Sequence, residues 1–289
     1  MSISPRTALP HHRSGRKRLS RLAAGLGAVA LTAALGVATA SAATAGPSGN
    51  AAPHQLKARA VHAAPAAGSN LINHGGPVEN APKVYVVYWG WQSDPSGEQA
   101  YLNNFLSSVG GTQWLSTVNQ YGGGSQSGLL AGTWSDSASV PTHPSDSAIQ
   151  SEAAKAAGHF GSGTSSNVEI VVATPTGHST SGFGTQWCAY HGAVSSDRNV
   201  TYTDLPYMTD AGSSCGANSV RSKLDGVSIV EGHEMAETIT DPLLNAWYDG
   251  SGSEIGDKCA WQNLSTITTS KGTFAVQPLW SNAAGGCVQ

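Results

Sequence analysis

Hydrophobic positions along this chain follow two different periods. Val84-Tyr85-Val86-Val87-Tyr88-Trp89 is an unbroken run rich in β-branched and aromatic residues, and Val168-Glu169-Ile170-Val171-Val172 is nearly so. Runs of this kind read as strands covered on both faces. Leu129 to Trp134 reads as a further strand. Elsewhere the apolar positions take helical spacing: Tyr101, Leu102, Phe105, Leu106 and Val109 within 97–109, then Trp114, Leu115 and Val118 in a second short helix, then Ala148, Ile149, Ala153, Ala156 and Ala157 within 145–158. Strands alternating with helices predict a layered α/β fold with a central, mostly parallel sheet, flanking helices and long Gly/Ser-rich loops. A last helical pattern covers 227–241, where Val227, Ile229, Val230, Met235 and Ile239 support a helix with one buried side. Pro242 disfavours helical geometry at Asp241 and ends the helix there.

The start of the chain obeys neither period. Arg6, Arg13, Arg16, Lys17, Arg18 and Arg21 form a basic opening without acidic residues, Leu22 to Val37 is apolar and small, and Ala38-Thr39-Ala40 and Ala40-Ser41-Ala42 are small-x-small sites. The apolar run falls short of the roughly 20 residues that span a bilayer. Residues 1–42 therefore read as a cleavable secretion signal. Residues 43–70, rich in Ala, Gly, Pro and Ser, read as a disordered leader or pro-segment. Residues 71–289 read as a single α/β domain.

Export changes the charge. The chain has 15 Lys+Arg and 18 Asp+Glu, and six of the basic residues lie in the signal, which leaves 9 against 18 and a net charge of −9. An acidic protein of this kind makes nucleic acid and anionic membrane poor partners, and suits a divalent cation. The expected product is a secreted monomer, extracellular or cell-wall associated. Export also makes disulfides the default for Cys188, Cys215, Cys259 and Cys287. Of the three possible pairings, Cys188–Cys215 and Cys259–Cys287 are favoured because each closes a loop of about thirty residues. A thiolate metal site is the alternative, but the chain contains no CxxC pair.

A site must then be built from His and carboxylates, and 227–241 offers them. His233 and Glu237 are four apart, on one face of a helix and about 6 Å apart along its axis. Glu234 is turned by about 100°. In zinc peptidases with H-E-x-x-H, two His hold the ion and the Glu beside the first is the general base. Here the second His is Glu237, giving H-E-x-x-E. A carboxylate is an acceptable zinc ligand, though it acidifies water less. Candidates for the third ligand are Glu254 and Asp257, which follow Glu237 by 17 and 20 residues, together with Asp241 and His191. Zinc is expected ahead of calcium, Glu234 is the candidate base, and a peptide or cell-wall polymer is the expected substrate or ligand. The alternative is a metal-free hydrogen-bonded cluster in a non-catalytic protein that binds cell-wall glycan or another protein. His74 and His178 read as structural, Met208 and Met235 as core. The eight tryptophans are mostly packing residues that could, where exposed, stack on sugars. There is no G-x-S-x-G elbow.

Several stretches together resemble the EXORDIUM, or phosphate-induced, family: His74-Gly75-Gly76-Pro77, the run Val84–Trp89, Cys188-Ala189-Tyr190-His191-Gly192, Leu205-Pro206-Tyr207, and above all Gly232-His233-Glu234-Met235-Ala236-Glu237 with Asp241-Pro242-Leu243-Leu244-Asn245-Ala246-Trp247-Tyr248 and Glu254-Ile255-Gly256-Asp257-Lys258-Cys259. The chain is similar to a secreted bacterial-type member, although plant members typically carry Asn at the position of Asp241. The resemblance implies an extracellular, cell-wall-associated protein linked to growth. It brings no catalytic residues, so the metal reading rests on the H-E-x-x-E helix alone.

Overall fold

The computed structural model describes residues 53–59, 69–162 and 167–289. The signal read over 1–42 lies outside them, as does most of 43–70. In chain order the elements are β1 (His54–Lys57), β2 (Ile72–Asn73), β3 (Lys83–Trp89), α1 (Glu98–Leu106), β4 (Leu130–Asp136), α2 (Asp146–Phe160), β5 (Val168–Ala173), β6 (Trp187–Val194), β7 (Asp197–Leu205), α3 (Asp225–Thr240), β8 (Trp247–Tyr248), β9 (Ser265–Thr269), β10 (Gly272–Val276), β11 (Leu279–Ser281) and β12 (Gly286–Val288). Short 3₁₀ turns cover Leu115–Tyr121, Met208–Cys215 and Asp257–Cys259.

The main sheet has the order β1-β6-β7-β5-β3-β4. β4, β3, β5 and β7 are parallel, while β6 runs antiparallel to β7 and β1 antiparallel to β6. The α/β layering is as the periodicity predicts. Because successive side chains in a strand point to opposite faces, Val84, Val86 and Tyr88 join one core cluster and Val87 and Trp89 the other. The second cluster is closed by Ile149, Ala153, Ala156 and Ala157 of α2, the first by α1 and α3. Ser145 caps α2, its side chain accepting from the backbone N–H of Ala148.

Two expectations are corrected. α3 is not buried on one side: all of Asp225–Thr240 is covered. It lies between the sheet and a further layer made by α1 and β10, so even its polar residues are taken out of water. In addition, the part of 43–70 that is described is ordered. His54–Lys57 is a strand on the margin of the sheet, and Leu56 and Ala58 are fully buried. Average composition hides this, because two apolar anchors at alternate positions suffice once β6 offers a free row of backbone groups.

The β6–β7 hairpin was not visible in the hydrophobic pattern, since β7 carries Thr201, Thr203 and Asp204 inward. Each has a partner there: Thr201 donates to Val168 O, Thr203 to the Glu169 carboxylate, and Asp204 Oδ2 accepts from Thr180. Both favoured disulfides, Cys188–Cys215 and Cys259–Cys287, are formed. Met208 and Met235 are core residues, and Trp89, Trp114, Trp187, Trp261 and Trp280 are buried, which removes these five as sugar platforms. His74 stacks on Tyr248 at 3.6 Å, and His178 lies 3.0 Å from Pro141 O, both in structural positions. No helix of the described residues is long and apolar enough to cross a membrane.

Candidate metal centre

Helical spacing on α3 puts His233 and Glu237 one turn apart, with His233 Nε2 3.1 Å from Glu237 Oε1. The other Glu237 oxygen faces the sheet. There His191, on β6, brings its Nε2 to 3.4 Å from Glu237 Oε2 and 3.0 Å from Glu254 Oε2. His54, on β1, brings Nδ1 to 2.7 Å from Glu254 Oε2 and 3.4 Å from Glu237 Oε2, and Nε2 to 3.3 Å from Asp257 Oδ2. Asp257 Oδ1 lies 3.8 Å from His233 Nε2. Five of the six sequence-predicted ligand candidates, His191, His233, Glu237, Glu254 and Asp257, thus meet at one centre; the sixth, Asp241, does not join them. They fall into two adjoining donor groups that share Glu237: His54, His191, Glu237 and Glu254 in one, His233, Glu237 and Asp257 in the other.

The turn 254–257 is tied to α3 by its own backbone. Asp257 N–H donates to Glu237 Oε1 at 3.0 Å, and Glu254 N–H donates to Asp257 Oδ2 at 3.2 Å. Gln277 Nε2 donates to Gly256 O at 2.8 Å and lies 3.0 Å from His233 Nδ1, which holds the ring. This packing leaves no room at Gly256, where a Cβ would stand 2.5 Å from His233 Nδ1. Gly256→Ala is therefore expected to cost about 1–3 kcal/mol, the usual range for overpacking, and to turn the His233 ring. Urea unfolding and the histidine ring signals in NMR check this, and an unchanged midpoint would contradict the packing described.

Electrostatics in the centre are those of a largely buried, opposite-charge cluster, open to solvent at His54 and Asp257. Burial opposes charge on His54, but Glu254 and Asp257 override it and raise its pKa well above the ordinary value. Burial likewise opposes charge on His191, overridden by Glu254 and by hydrogen bonding to Glu237. His233 is raised to about 9, with Glu237 overcoming burial. Glu237 is held well below its usual range: burial pushes up, and the charge of His233 and its hydrogen bonds win. Glu254 is lowered in the same way, by His54 and His191 against burial. Asp257 goes up to about 6, driven by burial and by Glu237.

Two other predicted groups stand apart from the donor sets. Glu234 points at β1, and its Oε1 accepts the backbone N–H of Leu56 at 3.3 Å. Burial pushes its carboxyl up to about 8 against the pull of His233 and His191. Asp241 closes the next turn, Oδ1 accepting from Asn245 and Ala246 N–H at 2.6 Å each. Burial and the neighbouring Glu254 raise it to about 8. Sequence reasoning missed His54 and Gln277. Gln277 carried no signal. His54 had one weak signal, the alternation of Leu56 and Ala58 just after it. Behind the centre, Glu169 and Glu231 are also buried, both with raised pKa because burial disfavours their charge.

Whether these residues suit a metal is a matter of donor spacing. Zinc ligands at about 2.0–2.2 Å in tetrahedral array sit about 3.3–3.5 Å from one another. The four His–carboxylate separations among His54, His191, Glu237 and Glu254 run from 2.7 to 3.4 Å, the longer ones close to that edge, and all donor atoms of the set lie within 4.8 Å of one another. His233 Nε2 and Glu254 Oε1 are buried with no hydrogen-bond partner among the described residues. His233 and Glu237 are thus near without being aligned, as two ligands of one ion are. The donor set fits zinc better than calcium, which takes oxygen ligands.

The chain is similar to Protein EXORDIUM-like 5 of Arabidopsis thaliana, 29% identical over 239 residues, covering 66% of this chain and 65% of that protein. The chain thus spans about 65% of the length of the curated relative it matches. No family model matches it, and no solved structure matches it. The similarity agrees with the resemblance read from the Gly232–Glu237 and Glu254–Cys259 stretches.

Proposed function

We propose that this chain is a secreted extracellular protein of EXORDIUM type whose buried centre holds zinc, and that it acts as a metal-dependent, peptidase-like hydrolase on a peptide or cell-wall polymer. The observation that carries this reading is the convergence of the His54, His191, Glu237 and Glu254 donor atoms within 4.8 Å of one another. His191, Glu237 and Glu254 supply three protein ligands, the number a catalytic zinc site uses, and His54 takes the place of the fourth. His233 and Asp257 flank the set on the far oxygen of Glu237. Bound zinc supplies a Lewis acid for the scissile carbonyl. Glu234 accepts the proton of the attacking water and returns it to the leaving amine, a task suited to a carboxyl with a pKa near the working pH. Two disulfides and the similarity to EXORDIUM-like 5 support an extracellular setting.

A second reading draws on the charge pattern. Three histidines held charged against Glu237, Glu254 and Asp257 balance without any ion, which suits a structural cluster in a non-catalytic protein that binds cell-wall glycan or another protein. Elemental analysis after zinc loading and dialysis separates the two. The hydrolase reading expects stoichiometric zinc and is lost without it. Glu234→Gln should keep the zinc and lose turnover by about 10²–10⁴-fold. Glycan binding that survives His233→Ala would favour the second reading.

A further inference from the structure

The strand that closes the centre is gripped as a ligand is gripped. Its backbone is addressed at successive residues by groups of the body: Leu56 N–H donates to Glu234 Oε1 at 3.3 Å, Lys57 O accepts from the Trp261 indole at 2.9 Å, Ala58 N–H donates to Gln186 O at 3.0 Å and Arg59 N–H to Ser214 O at 3.0 Å. The ladder on β6 is antiparallel, with His54 opposite His191 and Leu56 opposite Ala189, and it is irregular between Leu56 and Lys57. Side chains alternate strictly. Leu56 and Ala58 are fully buried, Gln55, Lys57 and Arg59 face solvent, and His54 reaches the carboxylates of Glu254 and Asp257. Edge pairing for affinity, with pockets for alternate side chains for selectivity, is how an extended peptide is recognised by a sheet margin.

We propose that the β6 margin and the carboxylate-bearing face of α3 form a cleft for an extended peptide, with Pro53–Arg59 as its resident occupant. The peptide class is set by the contacts: a metal-binding or basic side chain such as His, an apolar residue two positions later, and a small residue two beyond that. While the resident segment is seated, Glu234 is taken up by Leu56 N–H and the fourth donor position by His54, so the centre is closed. A second peptide enters in the same register only when the segment is displaced. The cleft stands whether or not the centre holds an ion; that it delivers a peptide to Glu234 rests on the hydrolase reading.

The test uses the full exported chain and an end-blocked heptapeptide of residues 53–59, in EDTA, with binding followed by calorimetry. A tethered segment competes at an effective concentration in the millimolar range, so the wild type binds the peptide weakly. Leu56→Asp, which puts a charge in the apolar pocket, is expected to bind it about 100-fold more tightly than the wild type. Leu56→Ala should show a smaller gain, and a peptide with Asp at the Leu position should not bind. Equal affinity of wild type and folded Leu56→Asp overturns the proposal. So does loss of cooperative unfolding in Leu56→Asp, which would make the segment an integral core strand. Because EDTA removes metal, failure here is distinct from failure to take up zinc, which bears only on the hydrolase reading.

Discussion

Glu237→Ala is expected to cost about 3–5 kcal/mol of stability, the range for removing one partner of a buried charged network. The side chain is fully buried, and its two oxygens face His233, His191, His54 and the Asp257 N–H. Taking it away leaves the three histidines facing fewer carboxylates, two of them, His191 and His233, fully buried. Urea unfolding monitored by tryptophan fluorescence measures it, and a loss under about 1 kcal/mol would show that the cluster is solvated.

The same residues set the pH profile. His233 titrates near 9 in the fold against 6.5 when free, so the fold binds more protons than the unfolded chain. Its contribution is complete below 6.5 and is lost as pH rises through 9. Glu234 and Asp241, raised to about 8, act in the same sense, favouring the fold only while neutral. Glu237 has the opposite sign: held below 4.5, it contributes above that value, and the contribution is lost as pH falls through its depressed pKa. Stability should therefore peak at mildly acidic pH and fall toward alkaline pH. The alkaline fall should flatten in Glu237→Ala, because the histidines lose the partner that raises them. Urea midpoints at mildly acidic, neutral and mildly alkaline pH decide this; a profile that climbs with pH would refute it.

The second large effect concerns the margin that carries His191. Cys188 lies on β6 and is joined to Cys215, 27 residues on. In the chain-entropy model, closing a loop of that size is worth about 3–4 kcal/mol. Cys188→Ser with Cys215→Ser should lose about that much. It should also loosen β6, because Ser214 O, next to Cys215, accepts from Arg59 N–H. Hydrogen exchange at residues 54–58 should then rise together with exchange at 188–191. Faster exchange confined to 208–217 would mean that the disulfide does not brace the sheet margin.

How legible all this was depends on where each part's information lies. β3, β5, α2 and α3 declare themselves in runs of apolar residues, because each is buried by its own neighbours. The donors His233 and Glu237 were legible because one helix turn fixes their relation. Glu254, Asp257 and His191 were readable as residue types and not as geometry, since the turn 254–257 and the β6–β7 hairpin place them only after the sheet has formed. β7 hid behind its inward Thr and Asp, whose partners lie on β5 and in a loop. His54 was hardest, because its segment has the composition of a linker and acquires structure only from the distant elements it lies against, β6 foremost.

The two margins of the main sheet are protected in different ways. β4 alternates covered and open side chains along a margin of its own, with Asp136 at its end paired to Lys155. β6 is shielded by four residues that arrive from far upstream. A row of bare N–H and C=O groups along a sheet is an adhesive surface for other chains. The same segment that keeps the centre shut therefore also keeps the molecule from sticking to its own kind. Any event that frees the centre for a peptide exposes, at the same moment, a template for self-association.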